Sequence, residues 1–261
     1  MNQVMQADTR ALLNKVPEVT LYFWIIKILA TTVGETGADF LNFNLHFGLT
    51  GTSVVTAALL SVFLVAQVRE RRYVPWLYWA TVVLISIVGT LITDNLTDNL
   101  NVPLEVTTGA FSVALLATFG IWYWRERTLS IHTIVTRTRE LSYWAVILFT
   151  FALGTAAGDL VAESMNLGYG VSALLFGAMI AAVAAAHYGL KMNAVLAFWL
   201  AYVLTRPLGA SFGDMLSQPV TDGGIGLGTV VTSGLFLAAI TSLVMFLTVT
   251  RKDVIEAKVA S

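Results

Sequence analysis

The chain has no cysteine and few charges. Its 261 residues include no Cys, 5 Pro and only 12% Asp, Glu, Lys and Arg. Without cysteine there is no disulfide framework, thiolate metal site or cysteine nucleophile. Soluble domains carry about 25% charged residues, so a charge content this low argues against a freely soluble globule. The formal net charge of −1 gives no electrostatic case for nucleic acid, and no nucleic-acid partner is expected. The first eighteen residues, MNQVMQADTRALLNKVPE, lack the basic-then-apolar pattern of a cleaved signal, so a retained N-terminus is expected. No HExxH, GxSxG, Walker or Rossmann pattern stands in a workable context, and no enzyme activity and no resident cofactor are expected.

Apolar residues fill the space that charge leaves. They make up 57% of the chain, and residues 50–68, 104–124, 168–190 and 226–249 are each long enough for a membrane span of roughly 20 residues. Within this background lies a fourfold repeat. The dipeptides Phe23-Trp24, Tyr78-Trp79, Tyr143-Trp144 and Phe198-Trp199 are each followed, ten residues after the Trp, by Gly34, Gly89, Gly154 or Gly209. Five residues beyond each Gly stands an Asp: Asp39, Asp94, Asp159 and Asp214. The copies are spaced by 55, 65 and 55 residues, so the second half repeats the first.

Each unit holds two apolar stretches. The expected fold is an all-α polytopic membrane protein of eight helices, about 19–42, 50–68, 76–98, 103–124, 141–164, 168–190, 193–217 and 226–249. Two helices per unit make the repeats parallel, related by an axis along the membrane normal. The chain then divides into an N-terminal segment (1–18), a first membrane half (19–124), a basic linker (125–140), a second half (141–250) and a tail (251–261). Arg10, Lys15, Arg69, Arg71, Arg72, Arg125, Arg127, Arg137, Arg139, Lys191, Arg251, Lys252 and Lys258 all fall on one side. The positive-inside rule makes that side cytoplasmic, with both termini inside. A multi-pass protein of the bacterial inner membrane is expected, with the lipid bilayer as partner and oligomers allowed.

The acids collect at the other end. Glu35, Asp39, Asp94, Asp98, Glu105, Asp159, Glu163, Asp214 and Asp222 lie in the outer half, with no basic residue close in sequence. An Asp fifteen residues beyond the Trp stands about 22 Å further along a helix. Ionisable groups at that depth normally face a bundle interior or a wet cavity. Three units add an acid four residues away (Glu35 with Asp39, Asp98 with Asp94, Glu163 with Asp159), and residues four apart share a helix face. Unit four has Gln218 at that place. Thr32 and Thr155 add neutral oxygens, and an oxygen-only set suits Mg²⁺, Ca²⁺ or Mn²⁺. The candidate metal ligands are therefore Glu35, Asp39, Asp94, Asp98, Asp159, Glu163, Asp214, Thr32 and Thr155. His46, in the first outer loop, is a weaker candidate.

Bland readings apply to other features. The glycines suit close helix packing and the tryptophans suit interfacial anchoring. Lys27, three residues after Trp24, is expected to snorkel to the inner surface. Arg206 lies deeper, before Pro207, which should kink its helix; it is expected to meet a carboxylate of another unit as a tethered counter-charge.

The segments Lys15-Val-Pro-Glu-Val-Thr20, Ala30-Thr-Thr-Val-Gly-Glu-Thr-Gly-Ala-Asp39 and Arg206-Pro-Leu-Gly-Ala-Ser-Phe-Gly-Asp214 resemble those of an uncharacterised bacterial family of repeat-containing, membrane-anchored proteins. The resemblance covers residues 15–250 and implies an integral membrane protein without supplying a substrate. The run from Gly34 to Asp39 is also faintly similar to the acidic motifs of cation exchangers, although its spacing differs and its unit has two helices instead of three. The expected function is transport of a divalent cation, with proton-coupled efflux as the specific form. The alternatives are a cation channel with an acidic outer ring and a non-transporting membrane scaffold.

Overall fold

A computed structural model describes residues 14–254. Arg10 and Lys258, and with them the outer parts of the N-terminal segment and the tail, lie outside the described residues. Eight long helices follow in order: α1 (Leu21–Asp39), α2 (Gly48–Arg69), α3 (Pro75–Asp94), α4 (Leu104–Glu126), α5 (Arg137–Asp159), α6 (Tyr169–Leu190), α7 (Ala194–Ser217) and α8 (Thr229–Thr250). Local chemistry sets several starts. Thr20 and Thr136 accept from Phe23 N and Arg139 N, Asn193 caps α7 through Val195 N and Leu196 N, and Pro75 opens α3 where its missing N–H costs nothing. All eight expected helices are present, within a few residues of the expected bounds. Seven of them are long and apolar enough to cross a membrane. The exception is α1, which carries Lys27 and Glu35.

The odd helices form a closed ring, with α1 against α3 and α7, and α5 against the same two. Each even helix lies outside the ring on the odd helix of the next unit: α2 on α3, α4 on α5, α6 on α7, and α8 back on α1. Their outward faces are bare and apolar, as at Val62 (64% exposed), Leu116 (69%) and Leu174 (75%). An apolar perimeter of this extent needs an apolar environment to cover it.

Two sets of contacts close the ring, and both use the repeat. The aromatic before each Trp packs on the Trp of the next unit: Phe23 on Trp79 (5.6 Å between centroids), Tyr78 on Trp144 (5.5 Å), Tyr143 on Trp199 (6.2 Å) and Phe198 on Trp24 (5.7 Å). Trp79, Trp144 and Trp199 are buried core residues and not exposed anchors, Trp24 is half-buried, and Trp199 Nε1 donates to Leu129 O at 2.9 Å. The glycines form the second set. Gly34 faces Ser86, Gly89 faces Phe151, Gly154 faces Arg206 and Gly209 faces Thr31, each time the residue three before the next unit's Gly. A Cβ at any of the four would overlap that neighbour.

Three odd helices do not end as ordinary α-helices. Directly after Asp39, Asp94 and Asp159 the chain widens into five-residue π turns, Phe40–Asn44, Asn95–Asn99 and Leu160–Ser164. Each is followed by a left-handed residue at an equivalent place: His46, Asn101 and Asn166. Asn and His tolerate that conformation better than most side chains. Unit four departs from this pattern: α7 continues to Ser217, unbroken through Pro207, and a short 3₁₀ turn, Val220–Asp222, follows.

At the basic end, residues 14–18 lace the ring together. Lys15 Nζ bonds Glu140 Oε2 at 2.6 Å and donates to Val68 O, while Lys15 N donates to Ile134 O. Glu18 N donates to Asp253 O, and Asp253 Oδ2 accepts from the Tyr73 hydroxyl at 2.6 Å. The segment between the halves is shorter than 125–140, because α4 runs to Glu126 and α5 starts at Arg137; its Ile131 and Ile134 are buried. Burial pushes the Asp253 carboxyl above the usual range, and the Tyr73 hydroxyl opposes that shift. Tyr73→Phe is therefore expected to cost about 1.5–3 kcal/mol at neutral pH, the range for hydrogen bonds to charged groups. It should cost less near pH 4, where protonation removes the charge that the hydroxyl stabilises. Unfolding in detergent at the two pH values checks this.

Candidate functional site

The residues on the ring axis follow from one spacing. Positions 23, 27, 31, 35 and 39 of α1 are four apart and so form one row along the helix. Repeating that row in α3, α5 and α7 stacks five layers, each about 6 Å beyond the last. The first, nearest the basic end, is Phe23, Tyr78, Tyr143 and Phe198. The second is Lys27, Val82, Ile147 and Tyr202, and the third is Thr31, Ser86, Phe151 and Arg206. The fourth is Glu35, Thr90, Thr155 and Ala210, and the fifth is Asp39, Asp94, Asp159 and Asp214. All members of the second, third and fourth layers are buried.

Arg206 holds the middle of the stack. Its side chain is fully buried, and Nη2 reaches Glu35 Oε2 at 2.8 Å, Thr155 Oγ1 at 2.7 Å and the Thr90 hydroxyl. Nη1 donates to the carbonyl of Thr31 at 3.1 Å. Units one, two and three thus supply an all-oxygen cage, and unit four fills it with a guanidinium. Thr90 links the cage further, donating to Gly34 O at 3.3 Å. Thr90 is absent from the sequence-derived ligand set, yet it shares the repeat register of Glu35 and Thr155, and that register was the available signal.

The acids sort by depth. Glu35 is the shared neighbour, and its charge acts on Asp39, Asp94, Asp159 and Asp214. Asp214 is buried, while the other three repeat aspartates are half-buried at the junction of α-helix and π turn. Asp98 and Glu163 are exposed at the rim: Asp98 accepts from Thr97 Oγ1 (3.0 Å) and Glu163 from the Tyr169 hydroxyl (3.2 Å). The pairs of units one to three are therefore not equal: Glu35 is buried inside its α-helix, while Asp98 and Glu163 stand exposed in π turns. Thr32 Oγ1 bonds its own helix at Ile28 O, and His46 is exposed in its loop. Among the described residues, no three His, Asp or Glu side chains are arranged to hold one ion.

Lys27 departs most from expectation. It does not snorkel: it is fully buried, with Nζ 4.3 Å from the Phe151 ring centre and 4.2 Å from that of Tyr202. Among the described residues, its Nζ has no hydrogen-bond acceptor. The cause is rotational position, since residue 27 falls on the axial row with Phe23 and Thr31.

The Repeat of Unknown Function family (DUF347) matches residues 22–73, 77–128, 142–193 and 197–253, one copy for each two-helix unit. The chain belongs to this family, with four repeats. No curated protein and no solved structure matches it.

Proposed function

We propose that this four-unit DUF347 chain is a multi-pass membrane transporter of a divalent cation of the Mn²⁺, Mg²⁺ or Ca²⁺ class, working by proton exchange. The observation that carries the reading is the oxygen cage around Arg206. Glu35, Thr90, Thr155 and the Thr31 carbonyl offer only hard oxygen ligands to a cation, the donor type these ions take. The aspartate layer beyond it forms an acidic vestibule that draws cations in from one end. A divalent ion entering there competes with the guanidinium for Glu35 and displaces it, so Arg206 acts as a tethered counter-charge. The excess of Lys and Arg at the other end supports that end, with both termini, as cytoplasmic. Two buried cations on the axis, Lys27 and Arg206, speak against a continuously open cation channel.

The test is metal flux into proteoliposomes followed with a Mn²⁺-sensitive dye. Asp39→Asn and Asp159→Asn are each expected to cut the initial rate at least tenfold, at unchanged protein content. Wild-type rates in both variants would sink the proposal.

A further inference from the structure

We infer that Lys27 carries the exchanged proton. This rests on the proposed cation–proton exchange and assigns one residue within it. At the same repeat position the other units have Val82, Ile147 and Tyr202, so one amine stands in a layer otherwise without strong charge. A buried lysine needs a partner, and among the described residues this one has no acceptor and no carboxylate. Two aromatic faces alone hold it. That setting houses both protonation states: ring faces attract the ammonium, and the same apolar walls accept the neutral amine without stranding a hydrogen bond.

The link to the metal is the ring of Phe151. Arg206 lies over this ring as well, its guanidinium carbon 5.7 Å from the centre, and its charge acts on Lys27. A metal ion that takes Glu35 and the threonine oxygens removes the acid that compensates Arg206. The guanidinium then has Phe151 and the Lys27 layer on its other side. Two cations on one ring without a carboxylate repel, and Lys27 is the one that can give up its proton. The N–H electron pair stays on Nζ, and the proton passes to water on the acidic side, from which the metal entered. The titratable and charged groups around it are Arg206 and Tyr202 on α7, Tyr143 on α5 and Tyr78 on α3; α8 carries none. The Tyr143 and Tyr78 hydroxyls hydrogen-bond each other on the basic side of Lys27. Loss of the metal to the basic side returns Arg206 to Glu35 and lets Lys27 take up a proton from water on that side.

Lys27→Arg and Lys27→Met separate this role from packing. Arg keeps a cation on the rings but does not release its proton at accessible pH; Met keeps the bulk and has no proton to give. The full-length protein is reconstituted with a pH dye inside the vesicles and Mn²⁺ outside, and melting is followed by tryptophan fluorescence. The expected result is that wild type moves protons against Mn²⁺, and that the proton-to-metal ratio falls at least tenfold in Lys27→Arg with its melting temperature unchanged. Lys27→Met should still let Mn²⁺ run down its own gradient, yet a pH gradient should no longer drive it uphill. A wild-type ratio in folded Lys27→Arg overturns the assignment and leaves the transporter standing. Absence of Mn²⁺ flux in wild type overturns the transporter and the assignment with it.

Discussion

Glu35→Ala is expected to destabilise the folded protein by about 3–5 kcal/mol, the usual cost of stripping one partner from a buried ion pair. The size follows from where the survivor is left. Arg206 is fully buried, and of its four oxygen contacts only Glu35 is charged. Without that carboxylate the guanidinium keeps two hydroxyls and a carbonyl, too little to offset the lost hydration. Arg206→Met leaves Glu35 in the mirror situation, although Glu35 is slightly exposed (7%) and so less fully desolvated, and its cost should be smaller. Glu35→Leu with Arg206→Met removes both charges. Because apolar replacement of a whole buried pair is often neutral, the double variant should regain most of the stability lost in Glu35→Ala while remaining inactive in flux. Chemical denaturation in micelles gives the three free energies. Equal losses in the single and double variants would show that the pair contributes packing only.

The second large effect concerns the ring closure. Gly89→Ala and Gly154→Ala are each expected to cost about 2–3 kcal/mol, toward the upper end for overpacking a tight core. The added methyl of Gly154→Ala lands on Cβ and Cγ of Arg206, and that of Gly89→Ala on Cβ of Phe151 and the backbone beyond it. Neither neighbour is a flexible chain end, so the helices themselves must part. Gly154→Ala should also disturb flux, since it shifts Arg206 in its cage. Gly120→Ala is the control: nothing stands within 4 Å of its Cβ position, and in mid-helix the change should be neutral or stabilising by up to about 1 kcal/mol. A 1 kcal/mol change moves the melting temperature of a chain this size by roughly 2–4 °C, so the contrast between Gly154 and Gly120 is measurable.

Much of the fold was legible because a membrane-like helix repeats its solution. Hydrophobic length set the eight helices, and the Trp–Gly–Asp spacing set four parallel units and placed the acids at one end. The same alignment contains the axial rows, so the layer of Glu35, Thr90, Thr155 and Ala210 was open to a reader who compared the copies register by register. What misled was the assumption that every helix stays α-helical to its end. The π turns after Asp39, Asp94 and Asp159 leave no plain composition signal, and two of them hold Asp98 and Glu163 exposed, beyond the end of the α-helix. The tryptophans misled for a different reason, because an aromatic at an interface and one in a core look alike in sequence.

By itself the sequence determined the number of helices, their parallel repetition and the segregation of charge, since each depends on residue type and spacing along one chain. Only the tertiary structure decided which carboxylate faces Arg206, that Lys27 lies inside with two rings for company, and that each outer helix rests on the next unit's inner helix. Those outcomes depend on rotation about a helix axis and on which neighbour fills the ring, and both are fixed by packing between units far apart in sequence. The glycine that lets Arg206 approach belongs to unit three, the arginine to unit four, and the carboxylate it meets to unit one.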